Sequence, residues 1–167
     1  MEERELVRLS KDGDKEAFAM LYGMYKDRLY RYAYYRLGSQ PDAEDAVSNC
    51  VLSAFQQITK LRNEKAFAGW IFRILYASCC SVVKNGKNDN IDDYENSLFV
   101  DMHSAIEKTE IDEALDILKD DEKEIVLLSV VGGFTSREIA SMTGFTSGAV
   151  RSKLSRSLDK MKKFLEG

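Results

Sequence analysis

The segment Thr135–Leu158, "TSREIASMTGFTSGAVRSKLSRSL", decides the fold. Thr135 followed three residues later by Glu138 has the form of a capping box, in which each side chain satisfies a backbone N–H of the other residue, so a helix starts here. Ile139, Ala140 and Met142 supply its packing positions. Gly144 ends it, where a left-handed backbone suits glycine. Thr146 then caps a second helix. Two helices joined by so tight a turn, with small Ala140 at the crossing and Val150 facing inward, match a helix-turn-helix. An ordinary helical hairpin in a core would meet the same pattern.

The rest of the second helix favours the first reading. At 100° per residue, Val150, Leu154, Leu158, Met161 and Leu165 fall within an arc of about 80°. Lys153, Arg156, Lys160 and Lys163 fall on the opposite side. Arg151, Ser152, Ser155 and Arg156 project near the helix start and away from the apolar stripe. Residues at that place reach base edges in a major groove, while lysines such as Lys153 and Lys160 grip phosphates. An arginine bonds a guanine edge bidentately, and the lysines add salt-dependent affinity with little sequence information.

Charge is unevenly distributed around this motif. The 167-residue chain has a net charge of −4. Residues 1–85 carry 13 Lys/Arg against 11 Asp/Glu, residues 86–120 carry 3 against 11, and residues 134–167 carry 7 against 3. Two mildly basic parts therefore flank an acidic connector, and local fields of this kind act within about 10 Å at moderate salt.

The first part reads as helices. Phe18, Leu21, Tyr22, Tyr25, Leu29, Tyr32 and Ala33 recur at amphipathic spacing, and Gly38 ends that helix. "SQPDAEDAV" starts another, with Pro41 near its start and acids in its first turn. Val47, Val51, Ala54, Phe55 and Ile58 form its buried stripe. After the charged "TKLRNEK", a third helix runs from about Ala66 to Val83, apolar over much of its circumference. Further on, Ile111, Leu115 and Leu118 form one stripe, and Ile125, Leu128, Ser129 and Val131 lie on the helix after it. The expected fold is all-α, with two small helical domains, 1–85 and 110–167, joined by an acidic linker over 86–109.

Several function classes find no support. The cysteines, Cys50, Cys79 and Cys80, show neither disulfide nor zinc spacing and read as buried thiols. His103 stands alone in a polar stretch. No His–acid pair, phosphate-cradling glycine loop or metal spacing is present, so no catalytic residue, cofactor or metal is expected. No apolar run reaches membrane-span length, and the opening residues are charged where a signal peptide is apolar, which places the chain in the cytoplasm without membrane insertion.

"AEDAV", an apolar helix, a charged loop and "FAGWIFRIL" together resemble the promoter-melting domain of bacterial sigma factors. "EIASMTGFTSGAVRSKLSRSLDKMK" resembles the second DNA-binding domain of the same family. Order, spacing and size are similar to the compact extracytoplasmic-function group. The resemblance implies a non-enzymatic protein that binds core RNA polymerase, reads the minus-ten and minus-thirty-five elements of promoter DNA, and is held by an anti-sigma factor. It implies a polymerase contact at Asp42, Glu44, Asp45, Ser48 and Asn49. It makes Lys60, Arg62, Asn63, Glu64 and Lys65 the minus-ten loop, with Trp70 and Arg73 on the following helix and Arg73, Lys84 and Lys87 tracking the strand backbone. It assigns minus-thirty-five reading to Arg151, Ser152, Ser155 and Arg156. The chain departs from the family pattern at Ala77, where Asn is frequent, at Ser48, where Gln is frequent, and in its reduced basic cluster, "KNGKN".

A second reading is a stand-alone helix-turn-helix regulator that binds duplex DNA without polymerase. Under the first reading the acidic linker, through Asp89, Asp92, Asp93, Glu95 and Asp101, masks the two basic surfaces in the free protein.

Overall fold

The computed structural model describes residues 1–88, without the side chains of 86–88, and residues 109–167. The linker acids Asp89, Asp92, Asp93, Glu95 and Asp101, together with His103, lie outside the described residues. Among the described residues all regular structure is helical.

The first bundle contains α1 (Glu3–Lys11), α2 (Lys15–Leu37), α3 (Gln40–Gln57) and α4 (Phe67–Asn88). The second contains α5 (Glu110–Asp116), α6 (Asp120–Val130), α7 (Ser136–Thr143) and α8 (Ser147–Glu166). Side-chain caps start most of these helices. Asp14 accepts from the Ala17 N–H at 3.1 Å, Ser39 from Asp42 at 3.4 Å and Thr109 from Asp112 at 3.2 Å, each satisfying an orphan donor of a first turn.

The anticipated stripe of α2 is buried, except that Tyr22 is half-exposed. On α3 the buried side is wider than expected: Ala43, Ala46 and Cys50 join Val47 and Ala54, while Phe55 is exposed and packs edge-on against Phe18. The opening residues, read above only as charged, form α1. Its Leu6, Val7 and Ser10 pack inward, and Tyr25 of α2 donates a hydrogen bond to Glu3.

α4 is the central helix, burying Phe67, Ile71, Phe72, Leu75 and Cys79. The span 64–85 is long and apolar enough to cross a bilayer by length and composition alone, which corrects the expectation that no run reaches that measure. Its packing against α2 and α3, and Arg73 in mid-helix, make it the core helix of this bundle. It continues to Asn88, three residues into the expected linker.

In the second bundle Leu115 and Leu118 are buried, but Ile111, one turn before Leu115 in the first turn of α5, is exposed. The stripe of α8 divides in the same way. Val150 and Ser157 are buried and Leu154 and Met161 are half-buried, whereas Leu158, one residue around the helix from Ser157, and Leu165, in the last turn, are exposed. Val131 is the C-cap of α6 and lies just past its last turn. Of the three thiols expected to be buried, Cys50 and Cys79 are, and Cys80 faces solvent one residue further around α4. Burial pushes the Cys50 and Cys79 thiols up to about 12, so both stay protonated and inert.

The two bundles touch. α2 packs on α6 and α4 on α7, and the Phe72 ring meets Phe134 edge-on at 5.2 Å. Gly132 makes that contact possible: a Cβ there would sit 2.6 Å from the Leu128 carbonyl oxygen and 2.7 Å from the Phe134 ring.

Candidate nucleic-acid interface

The tight turn is built as its residues dictate. Thr135 N–H donates to Glu138 Oε1 at 3.0 Å and Glu138 N–H to Thr135 Oγ1 at 3.2 Å, a reciprocal capping box. Gly144 has φ +86°, the left-handed turn that stops α7. Thr146 Oγ1 accepts from Ala149 N–H at 3.1 Å and opens α8. Ile139 and Val150, both wholly buried, hold the two helices together.

This architecture presents Arg151, Ser152, Ser155 and Arg156 to solvent on the first two turns of α8. Arg156 Nε donates to the Ser152 carbonyl at 3.3 Å, which aligns the guanidinium along the helix. Lys153 and Lys160 are placed differently. Lys153 Nζ lies 2.8 Å from Asp121 Oδ2 and 5.2 Å from the Phe145 ring centroid. Lys160 Nζ lies 2.9 Å from Glu122 Oε2. Both ammonium groups therefore tie α8 to the start of α6. The hydrogen bond from Lys153 holds the Asp121 carboxyl below its ordinary range; the Lys119 N–H, then Lys160, do the same for Glu122.

The charged loop of the first bundle is two short 3-10 turns, Ile58–Lys60 and Glu64–Ala66, pinned by buried Ile58 and Leu61. Asn63 turns inward on its own backbone, its Oδ1 accepting from Lys65 N–H at 3.0 Å. Lys60, Arg62 and Lys65 are exposed around it. Trp70 is half-buried, its ring tilted against Phe67 at 5.9 Å, and stands between two surface grooves with Arg73. Loop, indole and guanidinium thus share one side of this bundle, and Lys84 is exposed further along α4.

The acidic helix α3 is divided cleanly. Asp42, Glu44, Asp45, Ser48 and Asn49 are exposed, while Ala43, Ala46, Val47 and Cys50 between them are buried. Gln40 donates to Glu44 Oε1 at 3.2 Å, and the rest of this face is presented outward.

Sequence reasoning passed over the residues between the bundles. Arg28 Nη2 donates to the Gly132 carbonyl, Arg36 Nη1 to the Asp120 carbonyl at 2.9 Å, and Arg73 Nη2 to Ser141. Buried Glu124 faces this seam, and desolvation raises its carboxyl. Arg28 and Arg36 look like ordinary solvated positions of α2, and no local spacing marks them.

Residues 21–88 match the family model described as Sigma-70 region 2, and residues 108–161 match the one described as Sigma-70, region 4. The RNA polymerase sigma factor SigV of Bacillus subtilis is 27% identical over 140 residues, covering 83% of this chain and 84% of that protein. The ECF RNA polymerase sigma factor BldN of Streptomyces coelicolor is 26% identical over 171 residues, covering 96% of this chain but only 65% of that longer protein. Among solved structures, the sigma factor RpoE in complex with the anti-sigma factor NepR from Bartonella quintana has the same fold, with a TM-score of 0.73 at 19% identity over 89% of this chain and 96% of that one.

Proposed function

The chain belongs to the sigma-70 family, in its extracytoplasmic-function group, and from that premise we propose that it binds core RNA polymerase and directs promoter-specific transcription initiation. The observation that carries this is the match of both sigma-70 regions, in order, to two helical bundles that each expose a polar surface suited to the corresponding task.

Each surface has a physical reason for its role. The arginines and serines at the start of α8 form a rigid, solvent-facing set that fits a major groove, the arginines bonding guanine edges and the serines bonding bases or phosphates. This is the minus-thirty-five reader. On the first bundle, the loop of Lys60, Arg62, Asn63 and Lys65 with Trp70 and Arg73 supplies cations for a strand backbone and an indole on which an unstacked base can lie. This is the minus-ten reader. The carboxylates and amides of α3 form a separate, acidic face that repels DNA and suits a basic polymerase surface. Asp42, Glu44, Asp45, Ser48 and Asn49 make that contact. The protein is an initiation factor working beside polymerase in the cytoplasm, and an anti-sigma factor is its regulatory partner.

Run-off transcription tests this directly. Transcripts that need both core polymerase and this protein support it. Tight duplex binding with no dependent transcript turns the reading to a stand-alone regulator.

A further inference from the structure

The indole of Trp70 is held by a line of rings that ends on α1. Trp70 and Phe67 are three residues apart at the start of α4, where side chains so spaced are neighbours. Their ring centroids lie 5.9 Å apart, tilted at 44°. Phe67 is wholly buried and meets the Tyr25 ring edge-on, with 5.3 Å between centroids. Tyr25 is buried too. Its hydroxyl donates to Glu3 Oε1, and the Arg28 guanidinium lies over its ring at 5.1 Å. Burial, then the hydrogen bond to Glu3, raises that hydroxyl above the ordinary tyrosine range, so it stays a donor.

α1 supports the rest of the same surface. It packs against both 3-10 turns of the charged loop, and its Leu6 and Val7 share one core with Ile58 and Leu61, which pin that loop. α1 precedes residues 21–88, so the match to region 2 gives it no role.

The indole needs such support. It stands between two open grooves, one lined by Leu61, Lys65 and Ala68 and the other by Asn49, Leu52 and Ala77. Gly69 beside it leaves open space. The orientation of the indole therefore depends on the ring that meets it, Phe67. A ring fixed before a base arrives loses less rotational freedom on binding, so more of the stacking appears as affinity.

We infer that Tyr25 and Phe67 are positioning residues for Trp70, anchored through Glu3, so that α1 is the support of the single-strand reader. This rests on the reading of Trp70 as a base platform. Buried Tyr25 and Phe67 do not reach a strand; they act through the indole.

Trp70 is the sole tryptophan in the sequence, so its fluorescence reports this ring alone. The test measures the anisotropy decay of Trp70 in the full chain. It also measures the affinity that the chain adds to core polymerase for fluorescein-labelled random-sequence single strands. Phe67→Leu keeps an apolar side chain and removes the ring. Glu3→Ala, at a half-exposed helical position, removes the anchor and leaves the core intact, and Glu3→Gln restores an acceptor. Phe67→Leu and Glu3→Ala are expected to speed the local rotation of the indole. They should lower the added strand affinity about fivefold, the low end of what stacking one base on an aromatic side chain supplies. Glu3→Gln stays close to the parent in both readouts, and duplex binding by α8 does not change. If Phe67→Leu does not fold, Glu3→Ala alone decides. Unchanged decay in Glu3→Ala and in folded Phe67→Leu overturns the line of support. Faster decay with full strand affinity overturns the positioning role. Strand affinity that Trp70→Leu does not reduce marks a failure of the single-strand reading itself; the role given to Tyr25 and Phe67 falls with it, while the ring contact read by the decay stands.

Discussion

Lys160 Nζ lies 2.9 Å from Glu122 Oε2, and the same buried carboxylate accepts from Ser157 Oγ at 3.4 Å and from the Lys119 N–H at 3.0 Å. A lysine on the basic side of a DNA-reading helix is thus engaged in holding that helix to its own bundle. Lys160→Ala is expected to lower the stability of the second bundle by about 1 kcal/mol, because it leaves part of a buried carboxylate unmatched while the lysine itself is half-exposed. The salt dependence of duplex binding should change little. Urea denaturation together with a salt titration of DNA affinity checks both statements.

Arg151→Ala and Arg156→Ala should behave in the opposite way. Both side chains are exposed, so stability stays within about 0.5 kcal/mol of the parent. Promoter-duplex discrimination falls by roughly 1–3 kcal/mol for each arginine that bonds a guanine edge. Competition binding between matched and mismatched duplexes reads this.

Gly132→Ala introduces a Cβ 2.6 Å from a backbone oxygen and 2.7 Å from a buried ring, so neither neighbour can yield cheaply. A loss of roughly 1–3 kcal/mol is expected. Gly69→Ala, with open space around its Cβ on α4, is the matched control and should be neutral or mildly stabilising. Thermal unfolding followed by circular dichroism distinguishes the two.

Two glutamates on α6 give pH effects of opposite sign. Glu122 has a lowered carboxyl, chiefly through the Lys119 N–H and then Lys160, so its contribution is present above the ordinary glutamate pKa and is lost as pH falls through the lower folded value. Glu124 has a raised carboxyl, chiefly through burial, with Arg36 opposing and Asp121 reinforcing the shift; Tyr32 and Tyr76 face it across the seam. Its contribution is fully present below the ordinary glutamate pKa and is lost as pH rises through the raised folded value. Glu124→Gln should therefore flatten the loss of stability on going from mildly acidic to neutral pH, whereas Glu122→Gln should flatten the loss at lower pH. Denaturation midpoints across that range separate them.

The local rules written in the chain carried far. Thr135, Glu138, Gly144 and Thr146 mark two helices and a turn because caps and left-handed glycines act within a few residues. Apolar spacing located α2 and α4 for the same reason. Spacing could not tell where burial ends. Ile111, Leu158 and Leu165 continue apolar stripes and yet are exposed, Leu158 because the buried line of its helix runs through Val150, Ser157 and Met161 instead. It also could not distinguish Lys153 and Lys160 from Arg151 and Arg156, since their partners, Asp121 and Glu122, lie 32 and 38 residues away in sequence. The helix α1 was hidden by its charge, although Leu6, Val7 and Ser10 share one face. The arginine seam was illegible because its acceptors are backbone carbonyls, which every residue has.

The most direct measurement is run-off transcription from a bacterial promoter library with core polymerase alone, with this protein added, and with its Arg151→Ala/Arg156→Ala variant. Promoter-specific transcripts that appear only with the protein, and that fall sharply with the variant, are expected. An unchanged transcript profile on adding a folded protein that still binds duplex DNA would contradict the assignment as a sigma factor.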